Sequence, residues 1–251
     1  MLGLGVALIG AHAEAREWTV NVGARLSARP PYEGANDVRL QPAPTLSIYP
    51  TKRTRRFTPS DPGFNLEVFD SRYFAFGAVV NLRNYRKPEG DLVGLREVKR
   101  AVEPGAFVEF WPTNWLRTRV EGRRGVAGHK GWVADAGLDV IYTGTKWDFS
   151  IGPRVGWGDE KYLDTYFGVT PEEAARSPFI ERSYTPTEGR RYTGLQTAFA
   201  YHLDDHWRTT VNFGYRRLAD RASMSPIVRT AGSGDYFHGG VGVIYKFGVS
   251  Y

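Results

Sequence analysis

Beyond its first fifteen residues the chain keeps four histidines, His129, His202, His206 and His238, and it has no cysteine at all. The lack of cysteine removes disulfides, thiolate metal sites and thiol nucleophiles together. No pair of histidines completes the H-E-x-x-H motif of a helical zinc site, since Leu203 follows His202 in the one pair four apart, and neither a G-x-S-x-G elbow nor a phosphate-binding glycine loop occurs. The densest ionisable cluster, His202-Leu203-Asp204-Asp205-His206, fits a tight solvated turn better than a site. The sequence therefore predicts no catalytic residue, no cofactor and no metal.

What remains is charge at a spacing of two. Arg117, Arg119, Glu121 and Arg123 fall on one face of a strand. Glu109 precedes them in the chain, and Asp135, Asp139, Asp148, Arg154, Arg208 and Arg216 follow on neighbouring alternating segments. Two readings stay open: a salt-bridge network that fills a small barrel, or an arginine ladder that guides anions through a narrow pore. The run Lys52-Arg53-Thr54-Arg55-Arg56 is the densest basic stretch, and it fits either solvated rim charge or contact with lipopolysaccharide phosphates. The net charge of +6, from 33 basic and 27 acidic residues, permits anionic partners without selecting one.

These charges need strands to hold them. With 29 Gly, 14 Tyr, 14 Phe and 7 Trp in 251 residues, the composition suits strands joined by turns. Trp18, Val20, Val22, Ala24 and Leu26 alternate with Thr19, Asn21, Gly23, Arg25 and Ser27, the period of a strand. Similar alternation recurs near 38–48, 64–70, 72–82, 105–111, 115–124, 131–143, 146–157, 190–202, 206–217 and 235–251. The longest apolar run, Leu2 to Ala11, is about ten residues, half of what a membrane helix needs.

A soluble sandwich and a membrane barrel both alternate, and tryptophan decides between them. Trp18, Trp115, Trp132, Trp147 and Trp207 open strands, while Trp111 and Trp157 close them, the distribution of interfacial belts. Connections alternate in length, with tight turns at 112–114, 143–145 and 204–205 and longer links at about 83–104, 124–131, 158–189 and 218–234. The fold expected is all-β: a transmembrane antiparallel up-and-down β-barrel. Eleven segments are visible, but even parity requires one more, and Thr51–Pro59 is its expected place. About twelve strands are thus expected, with ten as the alternative. Residues 1–15, with an apolar run and the small-x-small sites Ala11-His12-Ala13 and Ala13-Glu14-Ala15, read as an export signal, leaving 16–251 as the barrel. An exported chain gives no reason to expect nucleic acid. On the inward face of the last strand, His238 is the one candidate for a hydrolase at the barrel rim.

One loop departs from the pattern. Thr170 and Glu173 have capping-box spacing, and Pro171 suits a first helical position, so Pro171 to Arg176 should form a short helix. The loop around it is either a lid packed by its own aromatics or a recognition surface.

Tyr162, Tyr166, Phe167, Gly168, Val169, Ser177, Tyr184, Pro186 and Gly189, then Ser225, Pro226, Ile227 and Val228, and the ending Tyr245-Lys246-Phe247 resemble the signature of the MipA/OmpV family of outer-membrane proteins. Tyr32-Glu33-Gly34 and Gly105-Ala106-Phe107 match looser positions, and the resemblance covers essentially the mature chain. It departs at the end, where Gly248-Val249-Ser250-Tyr251 extends past the usual aromatic. The resemblance implies a bacterial outer-membrane barrel in contact with lipid and lipopolysaccharide, without an established catalytic site. It also implies a scaffold that binds a murein lytic transglycosylase and a bifunctional murein synthase. The segment Tyr162–Gly189, with Ser225 and Pro226, is then the candidate partner surface, and Tyr245, Phe247 and Tyr251 are the assembly signal.

Overall fold

The computed structural model describes residues 17–51, 57, 59 and 63–250. The expected export signal, the basic run 52–56, most of the expected strand Thr51–Pro59 and Tyr251 lie outside these residues.

Eleven strands form the wall: β1 (Glu17–Arg29), β2 (Arg39–Pro50), β3 (Phe64–Asp70), β4 (Phe74–Arg83), β5 (Ala101–Thr113), β6 (Leu116–Arg124), β7 (Trp132–Thr143), β8 (Trp147–Gly158), β9 (Gly189–His202), β10 (Trp207–Leu218) and β11 (Asp235–Ser250). Each pairs with its sequence neighbours, and β11 closes the ring on β1. The eleven alternating segments of the sequence are these strands, one fewer than expected. Every pairing is antiparallel except β2 with β3, which run parallel and meet only at Ser47–Asn65 and Ile48–Leu66.

That parallel pair resolves the parity. Glu17 pairs with Ser250, so both ends of the described chain lie on one rim although the strand count is odd. The chain must therefore return from the end of β2 to the start of β3 without adding a strand to the wall. Of the returning residues, Phe57 and Pro59 are buried, and Phe57 packs with Trp111, Ile141, Ala198 and Ala200. These partners project inward near the rim of short turns, and Pro59 lines the lumen with Asn21 and Arg25, so Phe57 and Pro59 lie inside the barrel. There Phe57 and its partners form an apolar plug.

Alternation sorts the remaining side chains. On β5, Ala101, Glu103, Phe107, Glu109 and Trp111 are buried while Val102, Val108 and Phe110 are exposed, and an apolar band including Val120, Val140, Val211 and Val241 covers the outside. Apolar side chains face outward and charges inward, the inverse of a soluble sandwich. Among the described residues no helix is long and apolar enough to cross a membrane. Trp115, Trp132, Trp147, Trp157 and Trp207 are exposed at strand ends, as a belt requires. Trp111 is a correction: it is only 1% exposed and belongs to the plug, not to the belt.

Short turns join β3–β4, β5–β6, β7–β8 and β9–β10 on the rim that holds the chain ends. The opposite rim carries the long loops. Four short helices fold there: α1 (Glu160–Phe167), α2 (Pro171–Arg176), α3 (Asp220–Ser223) and α4 (Pro226–Ala231). The expected helix is α2, with the complete Thr170–Glu173 capping box. The sequence reading missed α1, α3 and α4.

Candidate functional site

The long-loop rim is covered by a lid whose core is aromatic. Asp159 caps α1 by accepting the Tyr162 N–H at 2.8 Å. The helix then places Tyr162 and Tyr166, and Leu163 and Phe167, one turn apart on its buried side. They pack with Val133, Tyr192 and Leu218 from the wall and with Val98, Ala222 and Val228 from neighbouring loops. Ser225 caps α4 and donates its hydroxyl to the Phe167 carbonyl at 2.6 Å, which joins the two long loops. Buried Arg86, from the β4–β5 loop, donates to the Tyr166 carbonyl at 2.6 Å, a cation at the C-terminal turn of α1. Gly34, in the β1–β2 loop, has φ +93°, and a Cβ there would meet the Val228 side chain at 2.9 Å. Glycine is required for that close, left-handed approach.

Beneath the lid a network of ion pairs starts at Glu33. Its carboxylate accepts from the Tyr162 hydroxyl at 3.0 Å, from Arg83 at 3.0 Å and from Arg191 at 2.6 Å. Burial opposes ionisation of Glu33, but Arg191, Arg83 and Arg216 outweigh it and hold the carboxyl below the usual carboxylate range. Burial likewise pushes the Tyr162 hydroxyl well above its ordinary value, so it stays a donor. Arg83 continues to Glu103 at 2.6 Å and Arg191 to Asp135 at 2.6 Å. Arg123 bridges Glu103 at 3.2 Å and Asp135 at 2.6 Å, and His129 bonds Glu103 at 2.8 Å.

The network descends along β6. Arg123 pairs with Glu121, which bonds Arg119 at 2.9 Å. Arg119 reaches Glu109 at 3.0 Å, and Arg117 joins Glu109 at 2.7 Å to Asp139 at 3.0 Å. Arg154 closes on Asp139 at 2.5 Å. At the bottom the Trp111 indole donates to Glu109 at 2.9 Å, tying the ion pairs to the plug. On this half of the wall each arginine faces carboxylates, the arrangement that makes buried charge tolerable.

The other half is different. Between the rims, the inward positions of β1, β10 and β11 carry Arg25, Arg29, Arg208, Arg216, His238 and Lys246, and the inward strand positions of β1, β2, β10 and β11 there hold no Asp or Glu. A cavity of about 190 Å³ separates the two halves, lined on one side by Arg25, Arg29 and Arg216 and on the other by Arg119, Arg123 and Asp135.

The expected inward charges Arg117, Arg119, Glu121, Arg123, Asp135, Asp139, Arg154, Arg208 and Arg216 all occupy inward strand positions, and all but Arg208 and Arg216 join the ion-pair network. The network also uses Glu33, Arg83, Glu103, His129 and Arg191, which the sequence reading did not single out as site residues. Glu103 shares the parity of Glu109, a signal that an earlier start for β5 would have exposed. Arg191 lies beside a register shift between β8 and β9 that turns both it and Tyr192 inward, and alternation alone does not reveal this.

Of the signature residues expected to form a partner surface, most are buried and Tyr184, Gly189 and Pro226 are half-buried. Tyr162, Tyr166, Phe167, Val169, Ser177 and Ser225 are buried. Gly168 ends α1, Pro226 opens α4, Gly189 opens β9, and Tyr184 pairs with Val169 and donates to the Arg221 carbonyl at 2.8 Å. The aromatic and capping roles of the buried ones place them in the core of the lid. Tyr245 and Phe247 face outward and stack against each other, Tyr245 also against Trp207. His238 bonds Gln196 at 2.9 Å and faces Arg216, Arg29 and Arg25, and no carboxylate among the described residues bonds it to orient it as a base. In the histidine-rich turn, Asp204 accepts the His206 and Trp207 N–H groups, each at 2.7 Å, while His202 turns inward to Asp148 at 2.7 Å. Among the described residues no cluster of metal-ligating side chains forms.

An apolar exterior, a charged interior, tryptophans at the strand ends and a folded lid on one rim define an outer-membrane β-barrel. A model of the family described as MltA-interacting protein MipA matches residues 22–247. The chain belongs to that family. Two curated relatives, the MltA-interacting proteins of Escherichia coli K12 and Shigella flexneri, are each 26% identical to it over 149 residues, covering 57% of this chain. The matched region spans 54% of each relative, about half its length. Among solved structures, the COG4313 outer membrane channel from Pseudomonas putida F1 aligns over 98% of this chain and 100% of its own, at 10% identity and a TM-score of 0.46. Neisserial surface protein A aligns over 92% and 97% respectively, at 9% identity and a TM-score of 0.29.

Proposed function

We propose that this barrel is a non-enzymatic envelope scaffold that holds a murein lytic transglycosylase, and with it a murein synthase, at the inner face of the outer membrane. The observation that supports this best is the way the lumen is occupied. Ion pairs and the Phe57–Trp111 plug fill one half, and the lid is fixed from within by Tyr162 on Glu33. A wall held by so many buried pairs is built for rigidity rather than for passage. Lipid and lipopolysaccharide surround the apolar band, and an export signal at 1–15 delivers the chain.

The rim of short turns, with both chain ends, faces the periplasm, and the lid faces outward. A murein enzyme therefore meets the turns around Arg72, Trp115, Lys146 and Asp205, all exposed, and not the buried signature residues. The name of the curated relatives points to the same partner class. Capture of detergent-solubilised envelope proteins on immobilised refolded barrel, against a barrel of similar size, tests the reading. Selective recovery of a lytic transglycosylase supports it, and recovery equal to the control refutes it. A narrow pore is the second reading, favoured by the cavity and its basic wall, and steady single-channel steps in planar bilayers would establish it.

A further inference from the structure

The barrel wall has a seam. β2 is paired with β1 along its whole length, from Trp18–Pro50 to Arg29–Arg39. On its other edge it meets β3 only at Ser47 and Ile48. The β3–β4 ladder begins at Phe64–Val80, so toward the long-loop rim residues 39–46 of β2 and 81–83 of β4 share no ladder among the described residues. One side-chain bond, Asn84 to Gln41, crosses the gap. Pro42 and Pro44 lie in this stretch of β2, and proline, having no N–H to donate, belongs on a strand edge without a ladder. Outside, the seam is bordered by Leu40, 70% exposed, and Leu82, 52% exposed. An unpaired edge facing hydrocarbon is costly unless something covers it.

Inside, the cavity runs along the same edge of β4, through Asn81, Leu82, Arg83 and Asn84, and across to Arg29 and Arg216. Arg29 makes its side-chain bond to the neutral Gln41 at 3.1 Å, and Arg25, Arg83 and Arg216 are the principal charges that act on it. Arg216 stacks on the Tyr192 ring at 4.2 Å, and its buried Nε has no hydrogen-bond partner. Glu33 and Asp135 act on Arg216 from across the lumen. Each of these carboxylates is already bonded to other arginines and to a tyrosine. His238 adds a buried Nδ1 that also lacks a partner. Arg29, bonded to a neutral amide, and Arg216, stacked on a ring with its Nε unpartnered, lie beside an apolar-edged gap in the wall and ask for one kind of ligand: an anionic head with a hydrocarbon tail.

We propose that the cavity binds the head of a single-chain anionic amphiphile between Arg29 and Arg216, with its tail lying in the seam between β2 and β4, against Leu40, Pro42 and Leu82. The ligand enters sideways from the membrane, so the lid need not open.

The test uses the whole protein refolded in nanodiscs of zwitterionic lipid. Binding of a dansyl-labelled C11 fatty acid is followed by fluorescence, with laurate, acetate and dodecylamine as competitors. Laurate should displace the probe at least tenfold better than acetate or dodecylamine. R29Q with R216Q should weaken binding at least tenfold, and L82W, which fills the seam from the outside, should do the same while the barrel keeps its heat-modifiable gel mobility. Acetate competing as well as laurate would overturn the seam, and dodecylamine competing as well would overturn the basic head site. Affinity within twofold of wild type in the double arginine variant, with a folded barrel, would overturn the whole proposal. The scaffold reading is tested on the other rim, and these variants leave it untouched.

Discussion

Glu33→Gln is the sharpest test of how the lid is held. The substitution keeps the shape of the side chain and removes its charge. In the native protein the carboxylate accepts charge-assisted bonds from Arg83 and Arg191 and one from Tyr162. Outright removal of a buried partner costs about 3–5 kcal/mol when it strands the opposite charge. Here neither arginine is stranded, because Arg83 keeps Glu103 at 2.6 Å and Arg191 keeps Asp135 at 2.6 Å. The loss is instead the difference between charged and neutral bonds at two sites, together with an amide N–H turned toward a guanidinium, about 2–3 kcal/mol. With about 1.4 kcal/mol per factor of ten, local opening of the lid becomes about thirty- to a hundredfold more frequent.

Hydrogen exchange of the α1 amides in the refolded barrel measures that opening, and the wall strands serve as the internal control. The sign with pH is fixed by the depressed folded pKa of Glu33. Its contribution is complete above the unfolded value of about 4.3 and is lost as pH falls through the lower folded value. Wild type and Glu33→Gln should therefore differ fully at pH 7 and begin to converge as pH falls below about 4. Unchanged α1 protection in the variant at neutral pH, or equal loss throughout the wall, would refute the reasoning.

Three further outcomes follow from the packing. Trp111→Ala empties the plug and should cost about 3–5 kcal/mol, read as a lower urea midpoint for loss of the heat-modifiable band. Thr170→Ala breaks the capping box and should cost about 1 kcal/mol, confined to faster exchange in α2. Val120→Arg puts a cation on the outward apolar band and should destabilise the folded barrel in bilayers by about 2–4 kcal/mol, with a far smaller effect in detergent micelles; an equal effect in both would argue against a lipid-facing Val120.

Most of the wall was legible because alternation at a spacing of two is a strong signal when one face meets lipid. The return between β2 and β3 was half legible. Parity demanded another crossing and pointed to Thr51–Pro59, of which Phe57 lies inside the barrel, held by Trp111 and Ile141. Trp111 misled for the same reason, since a tryptophan at a strand end looks alike whether it faces lipid or plug. The lid divided in another way. The Thr170–Glu173 box announced α2 in four residues. For α1, the one-turn spacing of Tyr162 with Tyr166 and Leu163 with Phe167 was a weaker signal, hidden among signature aromatics. The inward charges on β6 followed directly from parity, whereas Glu33 and Arg191 sit in a loop and beside a register shift, where parity carries no information.

The central claim is that the turn rim holds a murein enzyme, and photocrosslinking in living cells tests it most directly. A photoreactive residue would be placed at Arg72, Trp115 or Lys146 on the turn rim and at Phe179 or Glu188 on the lid, all exposed positions. The account expects a crosslink to a lytic transglycosylase from the turn positions and none from the lid. Crosslinks to that enzyme from the lid alone, or from neither rim, would contradict it.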